Sequence, residues 1–166
     1  MQGYEYAHEI IPNVWLGNVK ASMDEEFISR NRITVVFNCT KNLPFSPMIP
    51  IKYRIPVDDN LQEEEIRNME LWGGEIALKM VTEYKEGKPI LVHCMAGMQR
   101  SAAALAIMLI FHLRIHAPEA MRMIKEKRNI AFHPSANFGR SILSFDRRFH
   151  EEILPEITRG YRMKRE

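Results

Sequence analysis

The segment from Cys94 to Ser101 combines a cysteine, a glycine, an arginine and a hydroxyl group at close spacing. An apolar run at residues 90–93 precedes it and an alanine-rich helical pattern follows it, so we expect a loop between a strand and a helix N-terminus. Such a loop aims backbone N–H groups at the positive end of the helix dipole, where anions bind. The segment therefore predicts an anion site, such as one for phosphate, beside a thiol.

Three residues of this segment have distinct chemical roles in that hypothesis. Gly97 allows a tight backbone that approaches a ligand closely. Arg100 can hold two phosphate oxygens with its planar guanidinium group. The positive field of a helix N-terminus favours thiolates, so Cys94 is expected to attack the phosphorus of a bound phosphate ester. A cysteine with only a packing role would not need a glycine, an arginine and a helix start at these spacings.

Short apolar runs rich in β-branched residues alternate with helical patterns along the chain. Strands are predicted at residues 14–16, 33–37, 53–57 and 90–93, and helices at residues 24–29, from about 62 to 84, and after residue 93. This order predicts an α/β fold with a mostly parallel central sheet flanked by helices. Gly73 and Gly74 lie inside the long helical pattern and indicate either close packing or a kink.

The composition excludes several classes of protein. Of the 166 residues, 46% are hydrophobic and 27% are charged, and no uncharged apolar run is long enough to span a membrane. No repeat or linker divides the chain, so we expect a catalytic domain over residues 1–154 and a basic tail over residues 155–166. The chain starts without the pattern of a signal peptide, and two cysteines cannot form a disulfide framework. A cytoplasmic or otherwise intracellular location is therefore expected.

Neither a metal site nor a cofactor is expected. Neither cysteine has the spacing of a zinc ligand, and the six histidines are scattered. Charge is uneven, because residues 1–100 carry 11 Lys and Arg against 14 Asp and Glu, whereas residues 101–166 carry 12 against 7. Two interpretations stay open: a solvated helical surface with a basic tail, or a positive rim that attracts anionic partners.

The run from His93 to Ser101, His-Cys-x-x-Gly-x-x-Arg-Ser, resembles the signature of the cysteine-dependent phosphatases. Its surroundings, from about residue 8 to residue 149, are similar to the dual-specificity branch: Ile-Pro-x-Val-Trp-Leu-Gly-Asn at residues 11–18, Asn-Cys-Thr at 38–40 and Ile-Pro-Val-Asp-Asp-Asn at 55–60. The size is similar to that of small single-domain members, including those encoded by poxviruses. The resemblance therefore leaves a viral origin open.

The resemblance implies a metal-free reaction through a phosphocysteine intermediate. Cys94 matches the nucleophile and Arg100 the transition-state clamp, while Asp59 matches the acid that protonates the leaving oxygen, at the fifth position of Ile-Pro-x-x-Asp. Ser101 is expected to hydrogen-bond the Cys94 thiolate, and it could also be the helix N-cap. Asp58 occupies a position that varies among relatives and is expected to be solvated.

The loop positions between the cysteine and the arginine carry neutral side chains. They differ from the lysines of the phosphoinositide branch and from the His-Cys-Thr-His-Gly-x-Asn-Arg-Thr pattern of the RNA-triphosphatase branch. A phosphorylated protein carrying phosphotyrosine, phosphoserine or phosphothreonine is therefore the expected partner, and nucleic acid is not. A phosphoprotein-binding domain without turnover and a phosphatase of RNA 5′ ends or phosphoinositides are the alternatives. Substrate contacts are expected from Met95, Ala96, Gly97, Met98, Gln99 and Arg100.

Two further positions depart from the family pattern or leave a choice open. Relatives carry an asparagine shortly after a proline in the loop beyond the signature helix, whereas here Ser135 follows Pro134 and the nearest amide is Asn137. The sequence does not decide whether either side chain supports the phosphate loop. Cys39 follows the second predicted strand and could form a protective disulfide with Cys94, or it could be a core residue.

Overall fold

A computed structural model describes residues 3–165 of the chain, with side chains described for residues 3–159. One sheet contains five strands: β1 Ala7–Ile11, β2 Val14–Gly17, β3 Val35–Asn38, β4 Ile51–Arg54 and β5 Ile90–His93. The strand order is β1-β2-β5-β3-β4; β1 is antiparallel to β2, and the other pairs are parallel. The predicted α/β fold with a mostly parallel sheet is confirmed.

Helices pack against this sheet and against one another. Within residues 3–165 they are α1 Val19–Met23, α2 Glu25–Arg30, α3 Glu63–Lys85, α4 Arg100–Leu113, α5 Ala117–Lys127, α6 Gly139–Arg148 and α7 Leu154–Arg165. A π-helical turn, Phe149–Ile153, joins α6 to α7 and precedes Pro155, which has no N–H for an ordinary helical hydrogen bond. No helix in this part of the chain combines the length and apolar character that a membrane crossing needs.

Some element boundaries differ from the sequence prediction. Strand β1 and helix α1 were not expected, since residues 7–11 include His8 and Glu9 and α1 is only one turn long. The strand predicted at residues 53–57 lies instead at Ile51–Arg54, because Pro56 cannot donate to a ladder of hydrogen bonds. Residues 155–165 of the expected basic tail belong to helix α7.

The register of the sheet brings three loops to one edge. His93, the last residue of β5, pairs with Gly17 at the end of β2 and with Asn38 at the end of β3. Strand β5 is buried along its whole length, and ten residues of α4 are buried, from Ser101 to Ile110. Because the carboxyl ends of parallel strands form the usual ligand crevice of such sheets, the loop from β5 to α4 is anchored at the expected place for a site.

The two adjacent glycines of α3 have different surroundings. A Cβ atom on Gly73 would lie 3.1 Å from Cδ1 of Phe145 in α6, whereas the nearest atom to a Cβ on Gly74 would be a terminal nitrogen of Arg148, at 3.8 Å. Helix α3 is continuous through both. Close packing of α3 on α6 therefore accounts for Gly73, and neither glycine interrupts the helix.

This difference predicts opposite outcomes for two neighbouring substitutions. Gly74→Ala should raise the free energy of unfolding by about 0.5–1 kcal/mol, because alanine has the higher helix propensity and the added methyl group has space. The free energy of unfolding of Gly73→Ala should be lower than that of Gly74→Ala by about 1 kcal/mol or more, because the methyl group presses on the buried Phe145 ring. Guanidinium unfolding curves of both variants measure this, and equal changes would contradict the packing.

Candidate active site

The loop from β5 to α4 contains one residue whose conformation requires glycine. Gly97 has a φ of +68°, in the left-handed region. A Cβ atom there would also lie 2.5 Å from the carbonyl oxygen of Gly17. The loop thus packs directly on the end of β2, and no side chain fits at position 97.

Donors outside the loop bind the carbonyl groups of residues 95–99, which turns those groups away from the loop's interior. Since each peptide unit is planar and trans, the N–H of the following residue points to the opposite side. Within residues 3–165, no acceptor binds the N–H groups of residues 96–100. The donors are the N–H of Val19 for Met95 (3.1 Å), Arg128 for Ala96 (3.0 Å) and Gly97 (2.9 Å), the N–H of Phe132 for Met98 (2.8 Å) and the N–H of Ala103 for Gln99 (2.9 Å).

Arg128, the residue that follows α5, supplies two of these donors from inside the protein. Its side chain is 1% exposed, and its NH1 group also lies 3.1 Å from the carbonyl oxygen of Glu5 and 2.9 Å from Nδ1 of His8. Burial and the charge of Arg128 lower the pKa of His8. His8 is thereby kept neutral, so that its Nδ1 can accept from the guanidinium group.

Cys94, Arg100 and the hydroxyl group of Ser101 lie close together at the start of α4. Cys94 Sγ lies 3.1 Å from Ser101 Oγ, and both side chains are buried. Arg100 NH1 donates to the carbonyl oxygen of Val57 at 3.1 Å, while the buried Arg100 Nε has no partner among the described residues. Gln99 is the N-cap of α4, so the alternative that Ser101 is the N-cap is wrong.

His93 is buried immediately before the cysteine. Its Nδ1 lies 3.3 Å from the carbonyl oxygen of Cys94. Burial lowers the pKa of His93 to about 4, so the imidazole is neutral at neutral pH. A neutral ring that donates from Nδ1 to this carbonyl group orders the first peptide unit of the loop.

The two adjacent aspartates after β4 face different partners. Asp59 Oδ1 accepts a hydrogen bond from the Asn137 side-chain amide at 2.8 Å. Asp58 Oδ2 lies 3.4 Å from Lys41 Nζ, and its backbone N–H donates to the buried Glu65 at 2.8 Å. Asp59 lines the same cavity as Cys94, whereas Asp58 does not. The loop geometry therefore favours Asp59 over Asp58 as the acid.

A cavity of about 350 Å³ brings most of the predicted site residues together. Gly97 does not line it, and the N–H group of Gly97 is the atom group expected to contact the substrate. Gln99 touches the cavity, but its side chain is 6% exposed and bonds the backbone of residues 133, 135 and 137. The lining residues are Asp59, Cys94, Met95, Ala96, Met98, Gln99, Arg100, His133, Pro134 and Asn137.

Ser135 and Asn137 support the phosphate loop through their backbone groups, which bond the Gln99 side chain. The Asn137 side chain contacts Asp59 instead of the loop. Sequence reasoning missed Arg128 altogether. A single arginine at the end of an amphipathic helix resembles any surface charge, and no local pattern marks it as buried.

Cys39 lies near Cys94 in the core. Its N–H donates to the carbonyl oxygen of His93 at 2.8 Å. Burial raises the pKa of the Cys39 thiol well above its ordinary value, and the neighbouring Cys94 raises it further. Both cysteines are free thiols, and the protective disulfide stays a hypothesis.

The expectation that the histidines are scattered is wrong for two of them. His116 and His150 meet at Asp146, with ligand-type atoms within 4.8 Å of one another. Two separate helical segments supply them, so the long spacing from residue 116 to residue 150 conceals the cluster. The i, i+4 spacing of Asp146 and His150 was the signal that could have suggested it.

Comparison with known proteins relates this geometry to one family. Residues 14–148 match the family described as dual specificity phosphatase, catalytic domain. Human dual specificity protein phosphatase 16 is 28% identical over 149 residues, which cover 86% of this chain and 21% of that protein. Mouse dual specificity protein phosphatase 2 is 31% identical over 141 residues, which cover 83% of this chain and 42% of that protein. The chain thus spans less than half the length of these curated relatives.

Solved structures share the fold at lower sequence identity. The crystal structure of a mouse putative dual specificity phosphatase, complexed with zinc tungstate, superposes with a TM-score of 0.76 at 23% identity. The match covers 92% of this chain and 94% of that one. This likeness extends the shared architecture over almost the whole chain.

The contacts of Arg128 predict that this residue maintains the anion site. Arg128→Lys should weaken binding of vanadate, a tetrahedral oxyanion, by about tenfold or more, since an ammonium group cannot replace two charge-assisted hydrogen bonds to loop carbonyls. Titration calorimetry measures the affinity, with circular dichroism to show that the variant is folded. The adjacent Lys127→Met, at an exposed position, is the control and should bind as the wild type does. Vanadate affinity within about twofold of wild type in Arg128→Lys would contradict the role of Arg128.

Proposed function

Because the chain belongs to the family of dual-specificity phosphatase catalytic domains, we propose that it hydrolyses phosphotyrosine and phosphoserine or phosphothreonine in proteins. The observation that carries this proposal is that Cys94 and Arg100 line one cavity, with Ser101 Oγ against Cys94 Sγ and with loop N–H groups that no described acceptor binds. A thiolate beneath a tetrahedral anion site is the arrangement that in-line attack on phosphorus requires.

In the first step, the Cys94 thiolate attacks the phosphorus of the bound ester. A sulfur–phosphorus bond forms as the bond from phosphorus to the ester oxygen breaks. Asp59, in its protonated form, gives its proton to the departing oxygen, so the side-chain hydroxyl leaves neutral. Arg100 and the N–H groups of residues 96–100 stabilise the charge on the three other phosphate oxygens.

In the second step, water releases the phosphate from the phosphocysteine. The Asp59 carboxylate accepts a proton as the water oxygen bonds to phosphorus, and the sulfur–phosphorus bond breaks. Ser101 Oγ, 3.1 Å from Cys94 Sγ, donates a hydrogen bond to the sulfur as it leaves as a thiolate. The enzyme returns to its starting state, and inorganic phosphate departs.

The rim of the cavity supports a protein substrate with a single phosphate. Met95 is 52% exposed, and it lines the cavity together with Met98 and Ala96. These side chains offer no cations for a polyphosphate or an inositol headgroup, which argues against the phosphoinositide and RNA alternatives. The binding domain without turnover is disfavoured because Cys94 and Arg100 are both present and converge.

The proposal also includes the extent and location of the catalytic unit. Residues 1–154 hold every residue assigned to the reaction, so this part is the proposed catalytic domain, and the basic residues after it are proposed to lie outside the site. An intracellular location, with the phosphoproteins of that compartment as partners, is consistent with the free thiols of Cys39 and Cys94.

The substrate class is tested with one peptide synthesised in three forms, each carrying phosphotyrosine, phosphothreonine or phosphoserine. In the presence of a chelator, all three should be hydrolysed, with phosphotyrosine fastest because phenolate is the best leaving group. Cys94→Ser should reduce turnover to below about 1% of wild type, because a serine hydroxyl is not ionised at neutral pH. Turnover of phosphotyrosine with phosphothreonine at background would contradict the dual specificity. Faster release from phosphoinositide vesicles or from RNA 5′ ends would favour those alternatives.

The assignment of the acid is tested with the two adjacent aspartates. Asp59→Asn should lower kcat by about 10² on an aryl phosphate, and by more on phosphothreonine, because the poorer leaving group depends more on protonation. Asp58→Asn is the matched control and should stay within about threefold of wild type, since Asp58 faces Lys41 outside the cavity. The reverse pattern would place the acid at Asp58.

A further inference from the structure

A cluster outside the active site brings two imidazole rings and a carboxylate together. His116 immediately precedes α5, Asp146 lies in α6 and His150 lies in the π-helical turn. Asp146 Oδ1 is 3.0 Å from His116 Nδ1 and 2.7 Å from His150 Nδ1. Three chain segments thus present one possible ligand atom each to the same small volume.

The carboxylate and one imidazole are held in place by backbone groups. Asp146 Oδ2 accepts the N–H of Ala117 at 2.8 Å, which leaves Oδ1 directed at the histidines. His150 Nε2 lies 3.5 Å from the carbonyl oxygen of Arg114. His150 Nδ1 lies 3.0 Å from the Asp146 carbonyl oxygen, and it must give up this contact and its proton to bind a metal. A metal-binding histidine usually donates its other ring N–H to a carbonyl group, which fixes the tautomer that binds metal.

We propose that His116, Asp146 and His150 form a binding site for a divalent cation of the zinc class. Zinc bonds to nitrogen and oxygen are about 2.0–2.2 Å long, so two ligands of a tetrahedral ion lie about 3.3 Å apart. Both present distances, 2.7 and 3.0 Å, are shorter than that value, so for an ion to bind, the two stacked rings must move away from Oδ1 and turn their Nδ1 atoms toward a common point. Two imidazole nitrogens and a carboxylate oxygen are a donor set suited to zinc.

The exposure of the cluster leaves the fourth coordination position accessible to solvent. The side chain of His116 is 68% exposed, whereas that of Asp146 is 11% exposed, so an ion can enter from the His116 side. The cluster lines a surface cavity of about 970 Å³. Three glutamates and three arginines also line this cavity, so their charges balance: Glu70, Glu151, Glu152, Arg140, Arg147 and Arg148. The affinity for a cation therefore depends on the two histidines and the aspartate of the cluster.

A metal-free arrangement of the same groups is the competing account. The two rings stack with centroids 3.9 Å apart and an angle of 23° between their planes. If both Nδ1 atoms carry protons, they share Asp146 Oδ1 as a common acceptor, and the cluster is only a hydrogen-bonded clamp between the start of α5 and the end of α6. The two accounts differ in whether an added cation binds and stabilises the fold.

The experiment uses the full, untagged chain in the Cys94→Ser form, so that the active-site thiolate cannot bind the metal. Calorimetric titration with zinc chloride should show one site. His116→Asn combined with His150→Gln should weaken that binding by about 100-fold or more. His112→Gln, a histidine that does not belong to the cluster, is the matched control and should bind zinc as the parent does. Asp146 is left unchanged, because its loss would also unpair the Ala117 N–H.

A second measurement separates specific binding from non-specific association. Zinc at 100 times its dissociation constant should raise the unfolding temperature of the parent and of His112→Gln, by linkage of binding to folding. Zinc should not raise the unfolding temperature of the double variant. A cooperative unfolding transition of the double variant in the presence of a chelator shows that it is folded. Cobalt bound in place of zinc should give visible d–d absorption without a sulfur charge-transfer band. Equal zinc affinity in the parent and the double variant, or no thermal shift in the parent, would overturn the proposal.

Discussion

The orientation of the peptide units between β5 and α4 determines what this protein can bind. Five carbonyl groups in succession must face away from the cavity, and each is bound by a donor that another part of the chain supplies. Turning even one of them inward would place a partial negative charge against the anion and remove an N–H donor. The buried guanidinium of Arg128 serves two adjacent carbonyl groups at once, which a lone N–H cannot do. The anion site is therefore a property of the whole fold, although every ligand atom belongs to a short loop.

Hydrogen bonds also connect this loop to Asp59, the proposed acid. Arg100 reaches across to the backbone of Val57, two residues before Asp59, while Gln99 holds the segment that carries Asn137, the partner of Asp59. Two neighbouring residues of the loop from β5 to α4 thus connect to Asp59, one through the backbone of its own loop and the other through Asn137. Because Asp59 and Cys94 lie on different loops, these contacts set the distance between the proposed acid and the proposed nucleophile.

The sequence predicted the parts of the site that lie close together along the chain. Cys94, Gly97 and Arg100 share a strand-loop-helix segment, and local spacing was sufficient to predict their geometry. The family resemblance supplied Asp59, since two adjacent aspartates in a turn carry no local sign of which one faces the cavity. The burial of Arg128 and the proximity of His116 to His150 depend on how separate helices pack, and only the i, i+4 spacing of Asp146 and His150 gave a local sign of the second. Strand β4 ends earlier than the apolar pattern predicted, because Pro56 cannot donate a hydrogen bond within a sheet.

In the proposed reaction, the phosphoryl group passes through the sulfur of Cys94. The Ser101→Ala variant offers the most direct measurement, because loss of the hydroxyl group that stabilises the departing thiolate should slow breakdown of the intermediate more than its formation. Rapid acid quenching during reaction with an aryl phosphate, followed by mass spectrometry, should find one phosphoryl group on the peptide that contains Cys94. A phosphoryl group on any other residue, or a burst of phenol release without protein-bound phosphate, would contradict the account.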